Sequence, residues 1–208
     1  MKVLYIESKL KNPENFTLSN EEIVKLPNKI FLAYSIQYKG LAIIIKKQLE
    51  TNKEHKIKIT GFTQVLGCSK VNTKEALLLI GAGRFHAINL YLQAPEIYVL
   101  DNNVISRISE KEIKSLKNKR KASLLKFLSA NNIGILVTIK PGQENLDQAI
   151  KLKKTLIKKG KAAFIFISNN IDTVQFENFN IDSWVNTACR GISYDSSNII
   201  NYSEIPKF

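Results

Sequence analysis

Short apolar runs alternate with longer lysine-rich stretches along this chain of 208 residues, and that order permits few folds. Residues 29–36 have the pattern of a buried strand, and residues 40–51 have the pattern of a helix. Further strands are predicted at residues 55–59, 76–80 and 97–100. Because strands that alternate with helices pair in parallel through helical crossovers, this half predicts a parallel sheet covered by helices.

Polar residues mark where two helices begin. Ser109 and Glu112 fit a capping box, in which each side chain binds the backbone N–H of the other residue. This pair predicts a long helix over residues 109–129. The same spacing at Ser19 and Glu22 predicts a short helix near the start of the chain.

The second half repeats the plan of the first. Residues 133–139 form an apolar run, and the turn at residues 141–143 leads into a helix that Gly160 ends. Strands are predicted at residues 162–167 and 183–185. The sequence therefore predicts an α/β fold with two similar domains, each with a small parallel sheet flanked by helices.

The predicted domain boundaries follow from this repeat. Residues 28–130 form an α/β domain with Cys68, and residues 131–208 form one with Cys189. Residues 1–27 fit neither domain and contain a lone strand at residues 2–6. Because a lone strand is not stable by itself, we expect this leading strand to pair with a sheet from elsewhere.

The composition excludes several classes of protein. No apolar run approaches the roughly 20 residues that span a bilayer, and the N-terminus lacks the pattern of a signal peptide. Two widely separated cysteines give no disulfide framework. We therefore expect a soluble, cytoplasmic protein that binds no membrane.

The net charge of +13 raises the question of a polyanionic partner. The lysines are spread over helices and loops, which is typical of solvated faces, and direct binding of nucleic acid is not expected. The densest basic cluster, where a partner such as a ribosome-associated factor would bind, contains Lys117, Lys119, Arg120, Lys121 and Lys126.

Both cysteines follow apolar segments, and ligands of open α/β sheets bind beyond the carboxyl ends of the strands. Cys68 follows residues 63–67, and Cys189 follows the last clear strand. Their separation matches no zinc motif. Two hypotheses stay open: two buried thiols in small pockets, or one thiolate from each half at a shared metal centre.

A glycine-containing segment follows the predicted strand at residues 76–80. Gly81 and Gly83 permit close approach of the backbone to an anionic ligand, although the dinucleotide pattern is incomplete because its third glycine position falls on His86. Arg84 has the chemistry to bind a carboxylate through two hydrogen bonds. His86 is either a structural or a catalytic residue.

Four ordered segments resemble the diphthamide synthase family, the 2-(3-amino-3-carboxypropyl)histidine synthases. The order and spacing agree over about residues 1–195. The segments are QVLGC at residues 64–68, LIGAGRFH at 79–86, IKPGQ at 139–143 and DSWVNTAC at 182–189.

The resemblance implies an enzyme of three similar α/β domains, each of which gives one cysteine to a 4Fe–4S cluster. In that family the cluster binds S-adenosylmethionine, and a reducing electron cleaves a carbon–sulfur bond. The 3-amino-3-carboxypropyl radical then attacks a histidine of elongation factor 2, the first step of diphthamide biosynthesis. This chain is thus expected to belong to a 3-amino-3-carboxypropyl transferase of an unusual radical type.

The same resemblance assigns roles to eight residues of this chain. The implied residues are Cys68 and Cys189 as ligands of the cluster, Arg84 and His86 as catalytic residues, and Gly81, Gly83, Gln37 and Gln143 as cofactor-binding residues.

The chain departs from the family pattern in three places. The family's Cys-Pro-Arg is here Cys189-Arg190-Gly191, and the histidine that commonly follows the first glutamine is Tyr38. In this interpretation the domain that would carry the first cysteine is missing from the chain, and residues 2–6 resemble its final strand.

These departures favour a split enzyme. In this hypothesis the chain pairs, as a dimer, with a separate polypeptide that carries the N-terminal domain and its cysteine, or with a homologous subunit. Two alternatives stay open: a non-catalytic accessory subunit of such an enzyme, and a basic module that binds RNA or a ribosomal factor.

Overall fold

The computed structural model describes residues 8–11, 15–66, 69–81, 87, 90, 94–194, 196 and 198–206, and the lone strand predicted at residues 2–6 lies outside them. The chain forms two compact units, Met1–Ile113 and Lys114–Phe208. The division falls within the long helix α3 (Glu110–Ser129), whereas the predicted division falls at the end of that helix. The assignment of domains stays a prediction.

A five-stranded sheet forms the centre of the first unit. Its spatial order is β2-β1-β3-β4-β5, with the first four strands parallel and β5 antiparallel at the edge. The strands are β1 (Lys29–Tyr34), β2 (Lys58–Gln64), β3 (Ala76–Ile80), β4 (Ile97–Asp101) and β5 (Val104–Arg107).

Helices α1 (Asn20–Ile23) and α2 (Lys39–Thr51) contribute to the core on one face of this sheet. Helix α2 buries Leu41, Ala42, Ile45 and Leu49, which recur at the spacing of one helical face. Strand β3 is buried along its whole length, as expected for the interior of a parallel sheet.

Strand β2 begins later than the prediction of residues 55–59. The backbone N–H groups of Glu54 and His55 donate to Asn52 Oδ1 and form a turn. The His55 ring donates to the carbonyl oxygen of Leu26 at 2.8 Å. These hydrogen bonds hold the segment outside the ladder, so pairing with β1 begins only at Lys58.

Only one of the two predicted capping boxes forms. Ser109 and Glu112 exchange the expected hydrogen bonds, with Ser109 N–H donating at 2.9 Å and Glu112 N–H at 3.2 Å. The box at Ser19 is wrong, because no side chain caps α1. Glu22 instead accepts from Lys25 and from the backbone N–H of Ile105 in β5, each at 2.5 Å.

A four-stranded parallel sheet forms the centre of the second unit, in the order β7-β6-β8-β9. This order repeats the order β2-β1-β3-β4 of the first sheet, so the prediction of two similar α/β halves is confirmed. The strands are β6 (Asn132–Thr138), β7 (Ala162–Ser168), β8 (Ser183–Asn186) and β9 (Ile199–Asn201).

One face of the second sheet is covered by α4 (Leu146–Lys158) and by Phe127 near the end of α3. Helix α4 ends as predicted, since Gly160 has φ +76 and its N–H donates to Ile157. None of the helices in the described part of the chain is long and apolar enough to cross a membrane.

The other face of the second sheet carries an aromatic cluster around Trp184 in β8. The Trp184 side chain is 2% exposed, stacks on Phe176 with ring centroids 4.1 Å apart, and meets Phe166 edge-on at 4.7 Å. Gly134 in β6 lies directly beneath the indole, because a Cβ there would be 2.3 Å from a ring carbon. The cluster therefore fixes the strand that leads to Cys189.

The amino ends of β6 and β8 are joined by a carboxylate. Asp182 Oδ2 accepts from the backbone N–H groups of Asn132 at 2.8 Å and Asn131 at 3.0 Å. These two hydrogen bonds favour the ionised form and lower the pKa of Asp182. The carboxylate thus stabilises the fold above its ordinary pKa of about 4, and that stabilisation is lost as the pH falls through the lowered folded-state value.

We expect Asp182→Asn to destabilise the protein near neutral pH, and the difference from wild type to shrink towards about pH 2. Urea unfolding midpoints at the two pH values measure this, with Asp101→Asn, an exposed carboxyl at the end of β4, as the matched control. An equal effect of Asp182→Asn at both pH values would show that the charge contributes nothing.

Candidate functional site

Three strands of the first sheet end level with one another. Tyr34 of β1 pairs with Gln64 of β2 on one side and with Ile80 of β3 on the other. The segments that follow these strands therefore leave the same edge of the sheet. They are the turn that contains Gln37, the segment that contains Cys68 and the segment that begins at Gly81.

The structure places two of the predicted residues at this edge. Gln37 lies in the short 3₁₀ helix Ile36–Tyr38, where its side chain is exposed and its carbonyl oxygen accepts from Leu10 N–H at 2.9 Å. Gly81 follows β3 directly. The other four predicted residues of this half lie outside the described residues: Cys68, Gly83, Arg84 and His86.

The residues on either side of Gly67 and Cys68 are held together. Leu66 N–H donates to Ser69 Oγ at 2.7 Å, and Ser69 N–H donates to the carbonyl oxygen of Leu66 at 3.0 Å. Leu66 is 56% exposed although it is apolar. Leu66 and Ser69 thus form a closed turn beyond the end of β2.

Gly81 and Ser35 make a close pair at the same edge. A Cβ at position 81 would be 2.9 Å from Ser35 Oγ, so only glycine fits without a shift. Within the described part of the chain, Ser35 Oγ is buried and has no hydrogen-bond partner. The packing of Ser35 against the segment that follows β3 therefore favours glycine at position 81.

The second sheet presents Cys189 beyond the end of β8. Its side chain is exposed, while Asn186, the last residue of β8, is only 2% exposed. Asn186 Nδ2 donates to the Cys189 carbonyl oxygen at 2.8 Å, and Asn186 Oδ1 accepts from Ala188 N–H at 3.0 Å. Thr187 donates through N–H and Oγ1 to the carbonyl oxygen of Leu136 in β6. The hypothesis of a buried Cys189 thiol is therefore wrong.

Gln143 lies at the same edge of the second sheet. The turn at residues 140–143 is closed by Gln143 N–H donating to the Lys140 carbonyl oxygen at 3.0 Å, and Gly142 has φ +78. Asn145 Nδ2 donates to the Gln143 carbonyl oxygen at 3.2 Å and to the Thr187 carbonyl oxygen at 2.8 Å. Asn145 thus links the turn that carries Gln143 to the loop that carries Cys189.

An open cavity of about 220 Å³ lies beside this loop. Most of its lining residues have polar side chains that donate or accept hydrogen bonds, and one of them, Arg190, is a cation. The lining residues are Asn145, Gln148, Asn186, Thr187, Ala188, Arg190, Asn201, Tyr202 and Ser203.

Two members of the basic cluster on α3 are engaged within the second unit. Arg120 Nε lies 3.4 Å from Glu204 Oε1, and Lys126 Nζ donates to Asn198 Oδ1. These contacts give both side chains a structural role on the surface of the second unit. They do not favour the interpretation of the cluster as a binding site for a polyanion.

The sequence interpretation missed Asn186, Asn201 and Thr187, which are all at most 4% exposed. Asn186 Nδ2 also donates to Asn201 Oδ1 at 2.9 Å across the β8–β9 pair. The available signal was that the apolar runs of β8 and β9 both end in asparagine. A polar residue at the end of a buried strand needs hydrogen-bond partners there, so it indicates a side chain that links neighbouring strands and loops.

Cysteine thiolates are the usual ligands of iron–sulfur clusters, and the exposed Cys189 on a fixed loop fits that role. Among the residues that the structure describes, no group of three or more His, Cys, Asp or Glu side chains could hold a metal ion. A cluster at Cys189 would therefore need ligands from outside those residues, and Cys68 is the one that the sequence predicts in this chain.

The fold and this edge define a class: an α/β protein with repeated parallel sheets that presents cysteine beyond a strand end. A family model places the chain more closely. Residues 1–204 match the model of diphthamide synthesis proteins, so the chain belongs to that family.

Relatives of known name agree with this assignment. The chain is 28% identical over 185 residues to the 2-(3-amino-3-carboxypropyl)histidine synthase of Pyrococcus horikoshii, with 84% of this chain and 54% of that protein covered. It is 29% identical over 176 residues to subunit 1 of the Candida glabrata enzyme, with 77% and 41% covered. The chain thus spans about half the length of these relatives.

A solved structure is also similar to this chain. The crystal structure of Dph2 from Pyrococcus horikoshii with a 4Fe–4S cluster superposes with a TM-score of 0.72 at 28% identity. The superposition covers 88% of this chain and 58% of that one. The fold predicted from the sequence is therefore confirmed.

Proposed function

We propose that this chain forms part of a 2-(3-amino-3-carboxypropyl)histidine synthase that acts in the first step of diphthamide biosynthesis. The observation that carries the proposal is the exposed thiol of Cys189 on a loop that the buried Asn186 fixes. The related Dph2 structure contains a 4Fe–4S cluster, and this chain belongs to the same family.

In this proposal Cys68 and Cys189 each give one thiolate to a 4Fe–4S cluster. When bound, such a cluster supplies the reducing electron for cleavage of a carbon–sulfur bond of S-adenosylmethionine. The chain has two cysteines, so a further ligand comes from outside this sequence.

The chain's own residues bind and orient S-adenosylmethionine in this proposal. The backbone at Gly81 and Gly83 admits the cofactor beyond the end of β3, because glycine permits close approach of a ligand. In this proposal Arg84 binds a carboxylate through its guanidinium group, and His86 acts as a catalytic residue. Gln37 and Gln143 give polar lining, since both occupy turns beyond strand ends.

The proposed protein substrate is elongation factor 2, which places the protein in the cytoplasm. The proposed partner is a polypeptide that supplies the remaining cluster ligand, or a homologous subunit with which the chain forms a dimer. Several relatives are named as subunit 1 of the enzyme, which supports a multi-subunit assembly.

Anaerobic iron–sulfur reconstitution tests the proposal. The chain is reconstituted alone and together with a candidate partner polypeptide, and bound iron, the EPR signal after reduction and cleavage of S-adenosylmethionine are measured. We expect a stoichiometric cluster that cleaves S-adenosylmethionine in the mixture, because two thiolates alone hold a cluster weakly.

Absence of a cluster under every condition would contradict the proposal. A cluster that forms in the partner polypeptide alone, with cleavage unaffected by this chain, would instead indicate an accessory role. The partner without this chain is therefore the matched control.

A further inference from the structure

The amide of Asn186 makes three hydrogen bonds at the end of β8, and two of them go to the loop that carries Cys189. Nδ2 donates to the Cys189 carbonyl oxygen and Oδ1 accepts from Ala188 N–H. The third, from Nδ2 to Asn201 Oδ1 at 2.9 Å, fixes the plane of the amide. We propose that Asn186 is the positioning residue for Cys189, an inference that rests on the proposed function.

A second layer of hydrogen bonds extends this arrangement to the residue after Cys189. Asn201 Nδ2 donates to Ser193 Oγ at 2.7 Å, and Ser193 Oγ donates to the carbonyl oxygen of Arg190 at 2.9 Å. Ile192 N–H donates to the Cys189 carbonyl oxygen at 3.2 Å. The backbone on both sides of the thiol is thus fixed by two buried asparagines, while the thiol itself remains exposed.

An amide suits this position because it both donates and accepts. A carboxylate of the same shape at position 186 would still accept from Ala188 N–H. It could not donate to the Cys189 carbonyl oxygen or to Asn201 Oδ1, because an ionised carboxylate has no hydrogen to donate. Residues that orient a metal ligand in this way usually affect metal affinity by about 10- to 100-fold when they are changed.

If Asn186 only stabilised the fold, its replacement would have a different effect from the loss of a positioning residue. Loss of buried hydrogen bonds would then lower the melting temperature and leave a bound cluster unaltered in the folded fraction. The two roles are separated by measuring properties of the cluster in folded protein. Ser183 offers a matched control, because it lies at the other end of β8, is fully buried, and has an unpartnered Oγ among the described residues.

The experiment uses the full chain, reconstituted with its partner polypeptide, as wild type, Asn186→Asp, Ser193→Ala and Ser183→Ala. The rate of iron loss to a chelator and the reduction potential of the cluster are measured below the melting temperature of each variant. Hydrogen exchange of residues 187–192 is followed in the chain without a cluster. Ser193→Ala removes only the second layer, so it remains informative if Asn186→Asp fails to fold.

We expect Asn186→Asp to speed iron loss by about 10- to 100-fold, to shift the reduction potential and to speed exchange of residues 187–192. Ser193→Ala should show smaller changes in the same direction, and Ser183→Ala should match wild type.

The inference is overturned if folded Asn186→Asp, or failing that folded Ser193→Ala, loses iron within about twofold of the wild-type rate and at the same potential. If the wild-type protein binds no cluster, the proposed function is contradicted, and the positioning role that depends on it is contradicted as well.

Discussion

Replacing Cys189 by serine is expected to reduce bound iron to less than about a tenth of the wild-type level, and Cys68→Ser is expected to do the same. A serine hydroxyl keeps the shape of the side chain but does not ionise near neutral pH, so it cannot replace a thiolate ligand. Because the Cys189 side chain is exposed and the hydrogen bonds to this residue use its carbonyl oxygen, the substitution should leave the fold intact. Iron and sulfide content per chain after anaerobic reconstitution measures the effect.

Ala122→Ser, a one-atom change at an exposed position of α3, is the matched control and should retain the cluster. Unchanged melting temperatures in both cysteine variants would show that iron is lost because a ligand is missing and not because the protein unfolds. Full iron content in either variant would contradict the assignment of that cysteine.

Gly134→Ala is expected to destabilise the second unit by about 3 kcal/mol, the upper part of the range for an overpacked core. The added methyl would lie 2.3 Å from the ring of Trp184, which is 2% exposed and packed between Phe166 and Phe176. Urea unfolding followed by tryptophan fluorescence measures the change, since Trp184 is the one tryptophan of the sequence.

Gly160→Ala is the matched control, because it tests backbone conformation without a steric clash. Nothing lies within 4 Å of a Cβ built at Gly160, but its φ of +76 is unfavourable for alanine. We expect a loss of about 1 kcal/mol. A smaller loss for Gly134→Ala than for Gly160→Ala would show that the aromatic cluster tolerates an extra methyl group.

Local patterns predicted most of the fold. Strand β3 has the bounds that its apolar run indicates, and the capping box at Ser109 forms as its residues require. The sequence analysis did not predict the hairpin between β4 and β5, although the adjacent Asn102 and Asn103 are a sequence signal for it. Both residues have positive φ, as a tight hairpin turn needs. Strand β9 has three residues, too few to show a period.

Long-range contacts decided what local patterns could not. Glu22 has the spacing of a cap, but the backbone N–H of Ile105, far along the chain, takes its carboxylate. Ile150 and Ile157 of α4 are apolar, yet they are 37% and 53% exposed, whereas Leu152 is buried. Which side of a helix is buried depends on the sheet beneath it.

Part of the candidate site could likewise be predicted from local sequence, and part depends on long-range contacts. The position of Cys189 after a strand was visible in the sequence, and its exposure confirms that the thiol is available. The contact of Asn186 with Asn201 depends on the pairing of β8 with β9, which no local pattern reveals. The contact of Ser35 with Gly81 likewise depends on the pairing of β1 with β3.

Transfer of the 3-amino-3-carboxypropyl group to elongation factor 2 tests the central claim most directly. The reconstituted protein, S-adenosylmethionine, a reductant and elongation factor 2 are incubated anaerobically, and the target histidine peptide is analysed by mass spectrometry. We predict that the peptide gains one such group with wild type and not with Cys189→Ser. Modification that proceeds equally with Cys189→Ser, or without this chain, would contradict the account.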